Sequence, residues 1–138
     1  YGPFLTDNRQ GITQKVTLGG TELTGWQMYK LPYSTAPKTP TTGEVAEDGP
    51  VIFIGTFNLT KTGDTYLDMS HFGKGFVFLN GHNLGKYWYI GPQQTLYVPK
   101  SWLKQGQNEI VIFDELKGGH TSISALDKPI LNTVVKEQ

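Results

Sequence analysis

The chain has 138 residues, no cysteine, and twelve Lys and Arg against twelve Asp and Glu, so its formal net charge is zero. This balance argues against a nucleic-acid or anionic membrane partner, because both attract an excess of basic side chains. The missing cysteines exclude disulfides, thiolate metal sites and a cysteine nucleophile. The length suits one domain, and no apolar run approaches the roughly 20 residues that span a bilayer.

Strand patterns open the chain. Residues 12–18 alternate apolar and polar side chains, and residues 22–31 do the same, with Trp26 and Met28 as candidates for the interior. The following stretch, 32–50, is rich in Pro and Thr and poor in apolar side chains. It predicts a long surface loop.

Strand patterns dominate again after the loop. Residues 51–57 form a mostly apolar run, suited to a sheet buried on both sides or to a sandwich core. The pair Asn80-Gly81 is the strongest short hairpin signal in the chain. Further strands are predicted at 65–69, 75–81, 82–88, 94–98 and 107–114, with one short helical turn at 99–106. No window carries a helical stripe, so we expect one all-β domain over 1–138, an antiparallel β-sandwich or jelly roll.

Side chains for catalysis or metal binding are not set in a recognisable pattern. A glycosidase needs two carboxylates about 5–9.5 Å apart in one cleft, but Asp114 and Glu115 are chain neighbours that point to opposite faces of a strand. His71, His82 and His120 lack the short spacings of metal ligands. We therefore predict no catalytic residue, no metal ligand and no cofactor. A structural calcium ion stays open, although no acidic loop pattern supports one.

The most unusual segment is 86–94, with three consecutive aromatic residues, a Gly-Pro turn and two amides. Aromatic faces stack on sugar rings and amides bond their hydroxyls, so this segment has the composition of a carbohydrate platform. The candidate residues are Tyr87, Trp88, Tyr89, Gln93 and Gln94. In the alternative, which we favour, Tyr87 and Trp88 close the end of the sandwich, while the two glutamines satisfy backbone groups.

Longer motifs carry a family resemblance. Residues 73–88 (GKGFVFLNGHNLGKYW) and 91–99 (GPQQTLYVP) resemble the C-terminal β-domain of glycoside hydrolase family 35 β-galactosidases, and residues 108–116 (NEIVIFDEL) continue the pattern. Residues 1–12 and 126–130 are similar to the family's flanking segments. Lys86 stands where the family has Arg and Gln10 where it has Lys, and the 32–50 loop matches no family pattern.

The resemblance implies a galactose-binding-like jelly roll that is a fragment of a longer multidomain enzyme. In that family the catalytic glutamates lie in a TIM barrel, so no acid of this chain takes their role. We expect a non-catalytic accessory module with a mainly structural role, in contact with the catalytic barrel and a neighbouring β-domain. The alternative is a carbohydrate-binding module that recognises galactosides through the aromatic loop. For the parent protein, the resemblance favours secretion or a periplasmic location.

Overall fold

The computed structural model describes residues 11–12, 14–30, 34–36, 49–116 and 122–131. The chain divides into two compact units, residues 1–31 and residues 32–138. One domain over 1–138 therefore stays a prediction. The predicted family segment over 1–10, His120 and most of the predicted 32–50 loop lie outside the described residues.

Unit 1 is built on one short hairpin. Strands β1 (Thr17–Leu18) and β2 (Thr21–Glu22) pair antiparallel. The prediction that Trp26 and Met28 face an interior is wrong, because these side chains are 64% and 94% exposed. Both residues lie beyond the end of β2, in the described stretch 23–30 that forms no strand, so an alternating pattern alone does not produce a core.

Unit 2 has two antiparallel sheets. Its described strands are β3 (Val51–Leu59), β4 (Thr65–Asp68), β5 (Lys74–Leu79), β6 (His82–Trp88), β7 (Thr95–Val98), β8 (Gly106–Asp114) and β9 (Ser124–Leu126). One sheet has the order β3-β8-β5-β6 and the other β7-β4-β9. A 3₁₀-helix over Lys100–Trp102 provides the predicted helical turn. The all-β antiparallel fold expected from the sequence is confirmed.

The core lies between the two sheets. Alternate residues of β5, β7 and β8 face it, as the pleat requires. The buried members are Leu67, Met69, Phe72, Val77, Leu79, Tyr87, Leu96, Val98, Ile110 and Ile112. Strand β3 differs from the other long strands, because its residues alternate strictly between half-buried and exposed along all nine positions. Its apolar run therefore belongs to the margin of a sandwich and not to a sheet buried on both sides.

The β5–β6 hairpin turns at Asn80-Gly81, as predicted, with φ values of 49° and 83°. Asn80 also fixes the turn to the rest of the sandwich. Its Nδ2 donates to the Trp102 carbonyl oxygen at 2.7 Å and to Asn108 Oδ1 at 2.8 Å. Asn108 is fully buried, and its own Nδ2 donates to the carbonyl oxygens of Lys104 and Gly106. One amide pair therefore connects the hairpin, the 3₁₀-helix and the start of β8.

Replacing Asn108 with Ala should lower the free energy of unfolding by about 2–4 kcal/mol, because it leaves several buried polar groups without partners. Chemical denaturation monitored by circular dichroism measures the change. The adjacent Gln107 is exposed, so Gln107→Ala is the control and should change stability by less than about 0.5 kcal/mol. Equal midpoints for the two variants would contradict a structural role for this amide pair.

Candidate functional site

The aromatic segment lies at the end of β6 and in the turn that leads to β7. Tyr87 is buried in the core and packs edge-to-face on Phe72, with ring centroids 6.1 Å apart. Its hydroxyl donates to the Phe113 carbonyl oxygen at 3.1 Å. Burial first, and the nearby Asp114 carboxylate second, raise the pKa of Tyr87 well above its usual value. Tyr87 is thus a neutral hydrogen-bond donor inside the sandwich.

The turn itself is held by its own backbone and by Gln94. The Trp88 amide donates to the Gln93 carbonyl at 3.1 Å, and the peptide bond before Pro92 is cis. Gln94 is buried, and its Nε2 donates to the Tyr89 carbonyl at 2.9 Å. Gln94 therefore satisfies a backbone group and does not face solvent.

Trp88 points the other way, as its neighbouring position on the strand requires. The side chain is 41% exposed, and Lys74 Nζ lies 5.0 Å from the ring centroid. Lys74 also pairs with Glu115 at 3.4 Å. These three side chains line a cavity of about 250 Å³ together with Lys86 and Gln93. We call this cavity the Trp88 pocket.

Asp114 lies beneath this region and is fully buried. Its carboxylate accepts the backbone amides of Gly73 at 2.8 Å, Lys74 at 3.3 Å and Leu116 at 3.0 Å. Glu115, the next residue, is exposed and faces the pocket. Asp114 therefore stabilises the backbone through these hydrogen bonds, whereas Glu115 forms an ion pair at the surface.

A second hollow lies on the other side of the Gly-Pro turn. Pro92 and Gln93 line both cavities, and the second one has a volume of about 530 Å³. Its aromatic members include Tyr66 and Tyr97, whose ring centroids are 5.5 Å apart. The turn that was predicted as a carbohydrate platform therefore lies between two cavities with aromatic side chains in their walls, the Trp88 pocket and this second hollow.

The structure brings together only part of the predicted residue set. Trp88 and Gln93 face the Trp88 pocket, and Tyr87, although buried in the core, also borders it. Tyr89 is half-buried and Gln94 lies in the interior. Sequence reasoning missed Lys74 and Glu115 at this pocket. Their closeness follows from the pairing of β5 with β8, and no local sequence signal announces that pairing.

Metal ligands do not gather within the described ranges, where no group of three or more His, Asp or Glu side chains could hold an ion. His82 stacks on Trp102, with centroids 4.7 Å apart and an interplanar angle of 14°. No helix in the described part of the chain is long and apolar enough to cross a membrane.

The two antiparallel sheets of unit 2 form a β-sandwich, with aromatic side chains at the end of one strand. Residues 50–108 match the family model described as "Beta-galactosidase, galactose-binding domain". These residues belong to this β-galactosidase domain family. The recognition made from the sequence motifs is confirmed.

Curated relatives agree with the family model. The chain is 35% identical to human beta-galactosidase-1-like protein 2, with 86% of this chain and 20% of that protein covered. It is 35% identical to beta-galactosidase 17 of Arabidopsis thaliana, with 90% and 20% covered. It is 44% identical to a beta-galactosidase of Xanthomonas manihotis, with 73% and 17% covered. The chain thus spans about a fifth of the length of these relatives.

Proposed function

We propose that this chain is a structural module of a longer β-galactosidase, in which another domain, a catalytic barrel, hydrolyses the glycosidic bond. The observation that carries the proposal is the state of the two acids nearest the Trp88 pocket. Hydrolysis of a glycoside needs two carboxylates that flank the bond, one as acid and one as base or nucleophile. Here Asp114 is saturated by three backbone amides, and Glu115 pairs with Lys74.

The relatives also support a structural role for this module and a catalytic role for another domain. Two of them are named as β-galactosidases and the human one as a β-galactosidase-1-like protein, and all three extend well beyond the segment that this chain matches. In this proposal the sandwich packs against the catalytic barrel and a neighbouring β-domain and stabilises them.

Removal of this module from the parent polypeptide tests the structural role. We expect the truncated enzyme to melt at a lower temperature than the complete one, because the surfaces that the module covers become exposed. Scanning calorimetry of both proteins measures the difference. An unchanged melting temperature of the catalytic domain would reject the structural role.

A second candidate function, galactoside binding, is favoured by the exposure of Trp88. The indole can cover an apolar sugar face, and Lys86, Gln93 and Glu115 offer donors and acceptors around it. Lys74 lies over the same ring and competes for one of its faces. This arrangement predicts weak binding of a single sugar unit.

A fluorescence titration of the isolated chain tests this second candidate. Galactose or lactose should give a saturable change in tryptophan emission by tens of millimolar, roughly the range of the weakest useful sites. Trp88→Ala should abolish the change and Trp26→Phe, in unit 1, should preserve it. A signal that survives Trp88→Ala but disappears in Tyr97→Ala would place binding in the second hollow. No saturable change in the wild-type chain would reject sugar binding and leave the structural proposal intact.

Adjacent aromatic residues should respond very differently to truncation. Tyr87→Ala should lower the free energy of unfolding by about 3–5 kcal/mol, because it empties part of the core. Trp88→Ala should lower it by about 1 kcal/mol or less, since the ring is exposed and loses chiefly its contact with Lys74. Thermal melts of both variants measure the contrast. A large loss for Trp88→Ala would show that the ring closes the sandwich, as in the alternative interpretation of the sequence.

A further inference from the structure

Among the described strands, β3 lies at the edge of its sheet. All nine of its residues pair with β8, from Val51 opposite Asp114 to Leu59 opposite Gly106. No strand among the described residues pairs with the opposite edge of β3. The backbone groups along that edge are a template for another strand.

The residues of β3 themselves carry none of the features that protect free edges in natural sheets. Such edges usually carry a lysine, a proline, a bulge or inward-pointing charges, or are covered by other structure. The sequence VIFIGTFNL contains no charge and no proline, and the register with β8 is unbroken. Ile52 and Ile54 are 42% and 40% exposed on the outer face of the strand. The composition of β3 therefore suits an edge that is covered in the complete protein.

An apolar groove lies directly beside this edge, between β3 and β9. Its volume is about 520 Å³. Apolar side chains from both sheets line most of it, namely Phe53, Phe57, Leu67, Phe72, Ile110 and Ile123. An apolar cavity of about 150 Å³ can hold a benzene molecule, so this groove can accept more than one large apolar side chain. Gly55, in the middle of β3, lines the groove without filling it.

We propose that an extended segment of the parent polypeptide, from outside this chain, adds as a strand to the free edge of β3. Its backbone pairs with β3, and alternate side chains enter the groove between the sheets, as in other cases of strand addition. The side chains that enter should be uncharged and mostly apolar, because the lining has no charged side chain and its only polar side chains are the hydroxyls of Thr56, Ser122 and Ser124. The proposal rests on the proposed membership in a longer β-galactosidase. The relatives are about five times as long as the matched segment, which supplies the length of chain from which such a strand can come.

The substitution Gly55→Val tests whether the groove receives a side chain in the parent protein or is only a packing defect, because the two cases predict different changes in melting temperature. A Cβ atom at Gly55 would meet only Ile110 Cγ2, at an ordinary contact distance of 3.6 Å. In the isolated chain the valine should fill part of the groove and raise the melting temperature by about 2–6 °C. In the parent protein it occupies the space of the docking side chain and should lower the melting temperature of the module. Gly63→Val is the matched control, because nothing lies within 4 Å of a Cβ there and the residue does not line the groove.

Hydrogen exchange measures the strand itself. Within residues 51–59, the alternate amides that point away from β8 should exchange at least about 10-fold more slowly in the parent protein than in the isolated chain, because an added strand accepts their hydrogen bonds. Gly55→Val should remove that protection in the parent, and Gly63→Val should not. Equal exchange in the two contexts would overturn the proposal. Slow exchange of these outward-pointing amides in the isolated chain would also overturn it. A dimeric mass would then identify a second copy as the occupant, and a monomeric mass would identify this chain's own residues.

Activity distinguishes failure of this inference from failure of the proposed function. A parent protein that hydrolyses a galactoside but leaves β3 unprotected would overturn only the strand addition. A parent that protects β3 but does not hydrolyse galactosides would overturn only the proposed function.

Discussion

Replacing Asp114 with Ala should lower the free energy of unfolding by about 3–5 kcal/mol, because it removes the acceptor of buried backbone amides. The carboxylate accepts from Gly73, Lys74 and Leu116, which lie at the start of β5 and just after β8. Native domains are stable by only about 5–15 kcal/mol. The variant should therefore unfold at a much lower urea concentration than the wild-type chain.

Two controls isolate the role of the buried carboxylate. Asp114→Asn keeps one acceptor oxygen, and we expect it to fall between the wild type and Asp114→Ala. Glu115→Ala removes an exposed acid in a surface ion pair, which contributes about 1 kcal/mol or less. A wild-type urea midpoint for Asp114→Ala would show that the three amides find other partners.

Replacing Gly75 with Ala should prevent the four-stranded sheet from forming as it stands. Gly75 lies opposite both Asp114 of β8 and Tyr87 of β6. An added Cβ would collide with the Phe113 carbonyl oxygen and lie 3.0 Å from the Tyr87 hydroxyl. A backbone atom cannot rotate away as a side chain can, so strands β5 and β8 would have to separate. We expect a loss above about 4 kcal/mol.

Near-ultraviolet circular dichroism of the Gly75→Ala chain measures this loss through the environment of the buried aromatic rings. Gly63→Ala provides the control, because a Cβ there has nothing within 4 Å. If Gly75→Ala kept both the wild-type spectrum and the wild-type melting temperature, the close approach of β5 to β8 would be contradicted.

Local signals predicted the hairpin and most strands of unit 2 well. Asn80 and Gly81 supply the left-handed backbone that a two-residue turn needs, so the turn follows from two residues alone. The alternating pattern around Trp26 and Met28 did not predict their burial correctly, because both side chains are exposed. Alternation shows that a strand has an apolar face, but burial depends on whether another layer covers that face.

The residues of the Trp88 pocket could likewise be predicted only in part from the sequence. Alternation along β6 places Tyr87 and Trp88 on opposite faces, so the difference in their burial was available from the strand pattern. Lys74 and Glu115 meet because β5 pairs with β8 across a sequence separation of about 40 residues. Such pairing is set by the packing of the whole sandwich, and no short motif encodes it.

Turnover of a nitrophenyl β-galactoside by the purified 138-residue chain, beside the parent protein at equal molar concentration, tests the central claim most directly. We predict no release of nitrophenol above a buffer blank from the isolated chain and clear release from the parent. Hydrolysis by the isolated chain that disappears in Glu115→Gln would contradict the claim, because it would place a catalytic carboxylate inside the accessory sandwich.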